Sequence, residues 1–176
     1  MEKRSLRRIT LKSKLWWENL EDSELLDVRL CDLELNLKKS PLNLHILKLQ
    51  SELDKKGLRF KPHFWISDDW FSPDRIPGVA IPFYLLHPRL IELEKKHTGL
   101  VEGDKPAEFM KLIRHEAGHA IENAYWLRRD NRRQNIFGFS KNYPASYVPK
   151  KFSKKYVKHL SDGYAQSHPD EDFAET

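Results

Sequence analysis

The stretch IRHEAGHAIEN, residues 113–123, places two histidines four positions apart with a glutamate directly after the first. On an α-helix, positions i and i+4 lie one above the other on one face, so His115 and His119 can offer imidazole nitrogens to a single ion. Glu116 sits about 100° round the helix, outside that pair but close enough to reach a water on the ion. Two neutral ligands and a general base from one turn are what a zinc hydrolase needs, which is why H-E-x-x-H on a helix points to that chemistry. Gly118 permits another segment to approach the helix closely between the ligands.

Chance alone yields the motif in roughly three of a hundred chains of this composition. The helical wheel argues against chance here. Phe109, Ile113, Ala117, Ala120, Ile121 and Ala124 form an apolar stripe, and the two histidines point roughly 150° away from its centre. Histidines that merely filled a core would lie on the stripe.

Catalytic zinc takes a third protein ligand and leaves a position to water. In one version of the motif a third histidine follows six residues after the second, with a glycine midway. Tyr125 and Glu122 hold those positions, so that version is excluded. Glu122 shares the histidine face but lies a further turn along the rigid helix, which makes it a polar neighbour rather than a ligand. The stretch DGYAQSHPDEDFAET, residues 162–176, offers the missing acid. Pro169 suits a first helical position, Ser167 or His168 a cap, and Asp170, Glu171 and Asp172 a positive helix N-terminus. Glu171 and Glu175 are then i and i+4, a pairing that suits one ligand carboxylate and a second that orients a ligand imidazole from behind.

RHEAGHAIENAYW together with GYAQSHPDEDFAET resembles the bacterial family described as zinc-binding metallopeptidases, of the HExxH-plus-Glu group called gluzincins. GLRFKPHFWISDDWFSPDRIPGVAIPFYLLHPRL resembles that family too, so the likeness covers about residues 57–176. A similar Tyr…Glu-x-x-x-Glu arrangement occurs in the catalytic core of anthrax lethal factor, with the tyrosine seven residues before the ligand glutamate, as Tyr164 is before Glu171. The resemblance implies Zn2+ held by His115, His119 and Glu171, with Glu116 as general base. It implies Tyr164 as oxyanion donor and Glu175 as the carboxylate behind a ligand. His168 is the runner-up for donor or ligand, and Asp172 a weaker candidate for ligand. Family chains run several turns past this motif, so the resemblance also implies a core cut short at Thr176. The expected reaction is hydrolysis of peptide bonds in a peptide or protein substrate. Zinc lowers the pKa of its water and polarises the carbonyl, Glu116 moves the proton, and Tyr164 donates to the oxyanion.

These residues need elements to position them. Mixed helical spacing without Gly or Pro predicts a helix from Trp16 to about Leu37, anchored by Trp16 and Trp17. A second follows over 43–57, with Leu44, Leu47 and Leu53 inward and Gly57 as its stop. An aromatic strand within 58–67, a turn-rich loop and a second strand over 79–86 come next, the last demoted to an edge by Pro82. That edge, around Val79–Tyr84, is suited to aligning an extended peptide by strand addition. A helix over 88–99 starts with Pro and ends at Gly, and Pro106 opens the long motif helix, read to Asp130. A basic loop fills 130–150, a short helix 151–160, and a final helix begins near Ser167. The order predicts an α+β fold: one zincin-like domain over 1–176, with a helical part at 1–56 and the metallopeptidase core at 57–176. Trp65, Trp70, Phe71 and Trp126 are read as core or cleft lining.

With hydrophobic residues at 39% and charged ones at 32%, the chain is polar yet not compositionally disordered. No apolar run is long enough for a membrane helix, the basic start has no signal-peptide core, and Cys31 is alone, all consistent with a cytoplasmic protein without membrane partners. The net charge of +5 is uneven: residues 1–14 carry six Lys/Arg against one Glu, and 128–158 carry ten against Asp130. Arg128, Arg129, Arg132 and Arg133, with Lys150, Lys151, Lys154, Lys155 and Lys158, therefore define the rival reading, a nucleic-acid- or protein-binding module with a structural zinc. It is the less favoured, because no nucleic-acid motif accompanies the charge.

Overall fold

The computed structural model describes residues 15–176, apart from the side chain of Asp162; the basic patch at 1–14 lies outside the described residues. The fold is α+β, mostly helical with one two-stranded sheet. The chain divides into two compact units between Glu34 and Leu35.

The first unit does not contain the single long helix expected from Trp16 to Leu37. Helix α1 covers only Asp22–Leu26, and a 3₁₀ turn follows at Leu30–Leu33. Arg29 is extended and Glu34 is left-handed, so the helix is interrupted twice. The buried Trp17 gives the reason. Its indole Nε1 donates to the Leu33 carbonyl at 2.9 Å, whereas sixteen residues of straight helix would hold the two about 24 Å apart. Folding back to bury a tryptophan and satisfy its N–H outweighs a few tenths of a kcal/mol per residue of helix propensity.

In the second unit, α2 (Leu42–Lys55) ends before Gly57, whose φ of 74° suits the stop expected there. Its inward face differs from the expectation. Leu42, Ile46, Leu49 and Leu53 are buried, while Leu44 and Leu47 are 72% and 51% exposed. A leucine-rich helix offers two stripes, and the 4-3-4 spacing of the first keeps to one face for the whole length.

Strand β1 (His63–Ser67) pairs in parallel with β2 (Gly78–Pro82), in the register Trp65 opposite Ala80. β2 stops at Pro82, and Phe83–Leu86 forms a 3₁₀ turn where the strand was expected to continue. Its outer edge is already occupied. Ala80 N–H donates to the Phe71 carbonyl at 2.8 Å and the Ser72 hydroxyl lies 2.8 Å from the Gly78 carbonyl. Val79, Ala80 and Ile81 are fully buried, so strand addition at this edge does not fit.

Helix α3 (Pro88–Thr98) matches its expectation, and α4 (Pro106–Tyr125) carries the motif. The apolar stripe of α4, with Phe109, Ile113, Ala117 and Ala120, packs on Leu49, Leu53, Val79 and Ile81 to form the core. α4 ends five residues earlier than expected because Trp126 turns left-handed with φ 55°. The reversal brings Arg128 back onto Glu122 at 3.0 Å. Helix α5 (Asn131–Phe137) lies where a loop was expected; the Asp130 carboxylate caps it by accepting from Arg132 N and Arg133 N. Residues 151–160 contain turns but no helix, since a run of lysines with a highly exposed Phe152 offers no face to bury. Helix α6 (Pro169–Glu175) begins as expected, with the His168 ring as its cap.

No helix among the described residues is long and apolar enough to cross a membrane.

Candidate metal centre

His115 and His119 leave the face of α4 opposite its core stripe, and that face is buried as well, because α6 lies against it. The contact depends on Gly118. A Cβ there would sit 2.7 Å from Ala174 Cα and 2.8 Å from its carbonyl oxygen, backbone atoms that cannot swing aside. This close approach delivers Glu171. Its Oε2 lies 3.0 Å from His115 Nε2 and 3.2 Å from His119 Nε2, and the two imidazole nitrogens are 3.2 Å apart. All three side chains are buried, and together they form a group able to hold a metal ion.

The donor set fits a cation on three grounds. Four-coordinate zinc with ligands at about 2.0–2.1 Å separates neighbouring ligand atoms by roughly 3.3 Å, close to the triangle present here. Among the described residues, the group also has no permanently charged counterion. Glu116 and Glu171 are buried beside the imidazoles, and no lysine or arginine is seen paired with them among the described residues. Finally, Glu116 Oε2, next to the group, is buried without a hydrogen-bond partner, a costly state that a water on a bound ion would relieve.

Proton affinities follow from the same arrangement. Burial alone would raise the Glu171 carboxyl, but hydrogen bonds from His115, His119 and Tyr143 hold it well below the usual carboxylate range. Burial alone would lower His119, yet the Glu171 carboxylate outweighs it and the imidazole is raised. Burial pushes the Glu116 carboxyl up, against a partial pull from the two histidines. Burial, with Glu171 and Glu116 adding to it, pushes the Tyr164 phenol up to about 12. Tyr164 therefore keeps its proton near neutral pH and remains a donor.

A cleft of about 670 Å³ opens onto His115 and Glu116, with Tyr164, Tyr147, Trp70 and Leu160 on its walls. The Tyr164 ring centroid is 5.7 Å from that of His115. The Ser72 hydroxyl, 2.9 Å from the Glu116 carbonyl and 2.8 Å from that of Gly78, ties α4 to β2 at the motif.

Other expected residues lie elsewhere. Glu175 makes no hydrogen bond to either imidazole; its Oε2 accepts from the N–H groups of His159 and Leu160, both at 3.3 Å. His168 is neither donor nor ligand at the centre, because its Nδ1 accepts from Asp170 N and its Nε2 donates to the Lys141 carbonyl. Asp172 stands outside the metal-holding group. Of the aromatics, Trp70 packs on Phe109 beside the cleft and Trp65 on Phe71, whereas Trp126 is exposed beneath Arg129.

Glu122 is a neighbour, as expected, but its partners are arginines. Arg133 Nε donates to its Oε1 at 2.8 Å and Arg128 Nε to its Oε2 at 3.0 Å; Asp170 accepts from the same two guanidinium groups. The basic-module reading loses two of its cations here, since Arg133 is buried and Arg128 is committed to three acids. Sequence reasoning missed this cluster and also missed Tyr143, whose hydroxyl donates to Glu171 Oε1 at 2.6 Å. Tyr143 stands 28 residues before Glu171 in an irregular segment, so no periodicity marks it.

Fold and site together define an α+β protein whose motif helix and terminal helix enclose a His2Glu group fit for a metal ion. No family model, curated protein or solved structure matches the chain.

Proposed function

We propose that this chain is a zinc-dependent peptidase with a zincin-like domain, hydrolysing peptide or protein substrates. The observation that carries the reading is the convergence of His115, His119 and Glu171 at 3.0–3.2 Å beside a cleft that Glu116 also lines. Two imidazoles and a carboxylate suit zinc, and when bound it would supply Lewis acidity to a water and to a carbonyl. His115, His119 and Glu171 would hold the ion. Glu116, unpartnered at Oε2, accepts the proton of the attacking water and returns it to the leaving amine. Tyr164, protonated near neutral pH, donates a hydrogen bond to the oxyanion as it forms. Trp70, Tyr147 and Leu160 give the substrate an apolar stretch of wall in a cleft that also presents Asp69, Glu102, Lys105 and Lys111.

The test combines metal analysis with cleavage of a peptide library. Wild type should retain stoichiometric zinc and cleave. His119→Ala and Glu171→Ala should lose the metal. Glu116→Gln should keep it and lose turnover by a factor of about 10²–10⁴. Equal cleavage by Glu116→Gln and wild type would refute the assignment of the base.

A further inference from the structure

The Glu171 carboxylate is divided between two environments. Oε2 faces the two imidazoles, while Oε1 accepts a 2.6 Å hydrogen bond from the Tyr143 hydroxyl. That length is typical of an O–H donor on an ionised acceptor, the stronger kind of hydrogen bond. The phenol is held from behind. Its ring stacks on His168, with centroids 3.9 Å apart and planes 15° from parallel. His168 is fixed in turn, with Nδ1 accepting from Asp170 N at 3.1 Å and Nε2 donating to the Lys141 carbonyl at 2.8 Å. A closed circuit thus runs from the cap of α6 through His168 and Tyr143 back to α6 at Glu171.

A carboxylate with two free oxygens can bind a cation through one or both of them. Binding through both would make Oε1 share its negative charge between the ion and the Tyr143 proton, so the 2.6 Å hydrogen bond weakens that oxygen as a second ligand. We propose that Tyr143 is a positioning residue that restricts Glu171 to ligation through Oε2, leaving a coordination position open for the reacting groups. The inference rests on the metal-site reading given above. An open position is what separates catalytic from structural zinc sites, and a hydroxyl that does not line the cleft would help to keep that position free. The stacked His168, which does not reach the metal group, acts through Tyr143.

The test replaces zinc by cobalt(II), whose visible spectrum reports coordination number. Full-length wild type, Tyr143→Phe and His119→Ala are titrated with cobalt against a competing chelator. Tyr143→Phe keeps the stacked ring and removes one hydroxyl from a residue that is 54% exposed, so the fold is retained, as far-UV circular dichroism will verify. The expected result is a loss of intensity and a shift of the cobalt bands, marking higher coordination, with affinity about ten- to a hundredfold weaker. A merely structural role would leave the bands in place. A Tyr143→Phe spectrum identical to wild type overturns the inference while the metal site stands. Wild type that takes up no cobalt, or His119→Ala that takes it up equally well, overturns the metal-site reading and this inference with it.

Discussion

His119 and Glu171 meet across the interface of α4 and α6; three residues further along α4 and one residue back along α6, Glu122 and Asp170 share a second buried cluster. Both clusters bury carboxylates, and a buried carboxylate requires a positive partner or a proton. In the second cluster the protein supplies that partner, with Arg133 and Arg128 each reaching both acids. In the first, the nitrogen groups seen in reach among the described residues are imidazoles, which carry charge only when protonated. Two neighbouring sites on one helix pair therefore show one carboxylate layer closed by guanidinium and one suited to closure by a cation from solution. The arginine cluster also has a mechanical consequence. It fixes the first turn of α6, and Glu171 follows Asp170 directly.

The largest effect should come from opening the closed cluster. Arg133→Met leaves Glu122 and Asp170 without their buried cation, and urea denaturation should show a loss of about 3–5 kcal/mol. A loss below about 1 kcal/mol would mean that the cluster does not hold α6 in place. Next comes filling the other cluster. Zinc at a hundredfold excess over its dissociation constant should stabilise wild type by about 2.7 kcal/mol, reversibly with a chelator. His119→Ala should show none of this shift; an equal shift would place the metal elsewhere. Gly118→Ala tests the close contact the two clusters share. The clash with Ala174 backbone costs about 1–3 kcal/mol, against about 1 kcal/mol gained in helix propensity, so a net loss of about 1 kcal/mol with weakened zinc retention is expected. A stabilised variant with unchanged zinc affinity would show that α6 can move without consequence.

A half-exposed ion pair elsewhere on α4 gives the smallest effect and calibrates the buried ones. Arg114 donates two hydrogen bonds of 2.9 Å to Glu52 on α2, and these lower the Glu52 carboxyl from its ordinary 4.5. A lowered carboxylate stabilises the fold above its unfolded pKa and loses that contribution as pH falls through its folded value. Because both side chains are more than a third exposed, solvent screening leaves about 0.5 kcal/mol. Glu52→Gln should therefore lower stability at neutral pH by about 0.5 kcal/mol and leave it nearly unchanged well below pH 4.5, where the wild-type contribution is already lost. A loss of several kcal/mol at neutral pH would put this pair in the same class as the arginine cluster.

How much was legible depended on how local the signal was. α3, the start of α4 and the start of α6 were read correctly because Pro, Gly and the capping residues act within a turn. The helix predicted over 16–37 failed where Trp17 found a partner sixteen residues away. The inward face of α2 was misread because its leucines form two stripes and only the rest of the core selects one. At the site, His115, Glu116 and His119 were readable from helical spacing alone. Glu171 was a candidate from the i, i+4 acids of the last helix and was singled out as ligand by the resemblance, whereas Tyr143 gave no signal and the pairing of Asp170 with Arg133 gave none either.

Taken by itself, the sequence determined that two imidazoles and a carboxylate would project from adjacent faces of one helix, since a fixed 3.6-residue period requires it. Tertiary structure alone decided what stands opposite them. The glycine contact at Ala174, the Arg133–Asp170 pair and the Tyr143 hydrogen bond join residues 28 to 56 positions apart, and chain separations of that length carry no period.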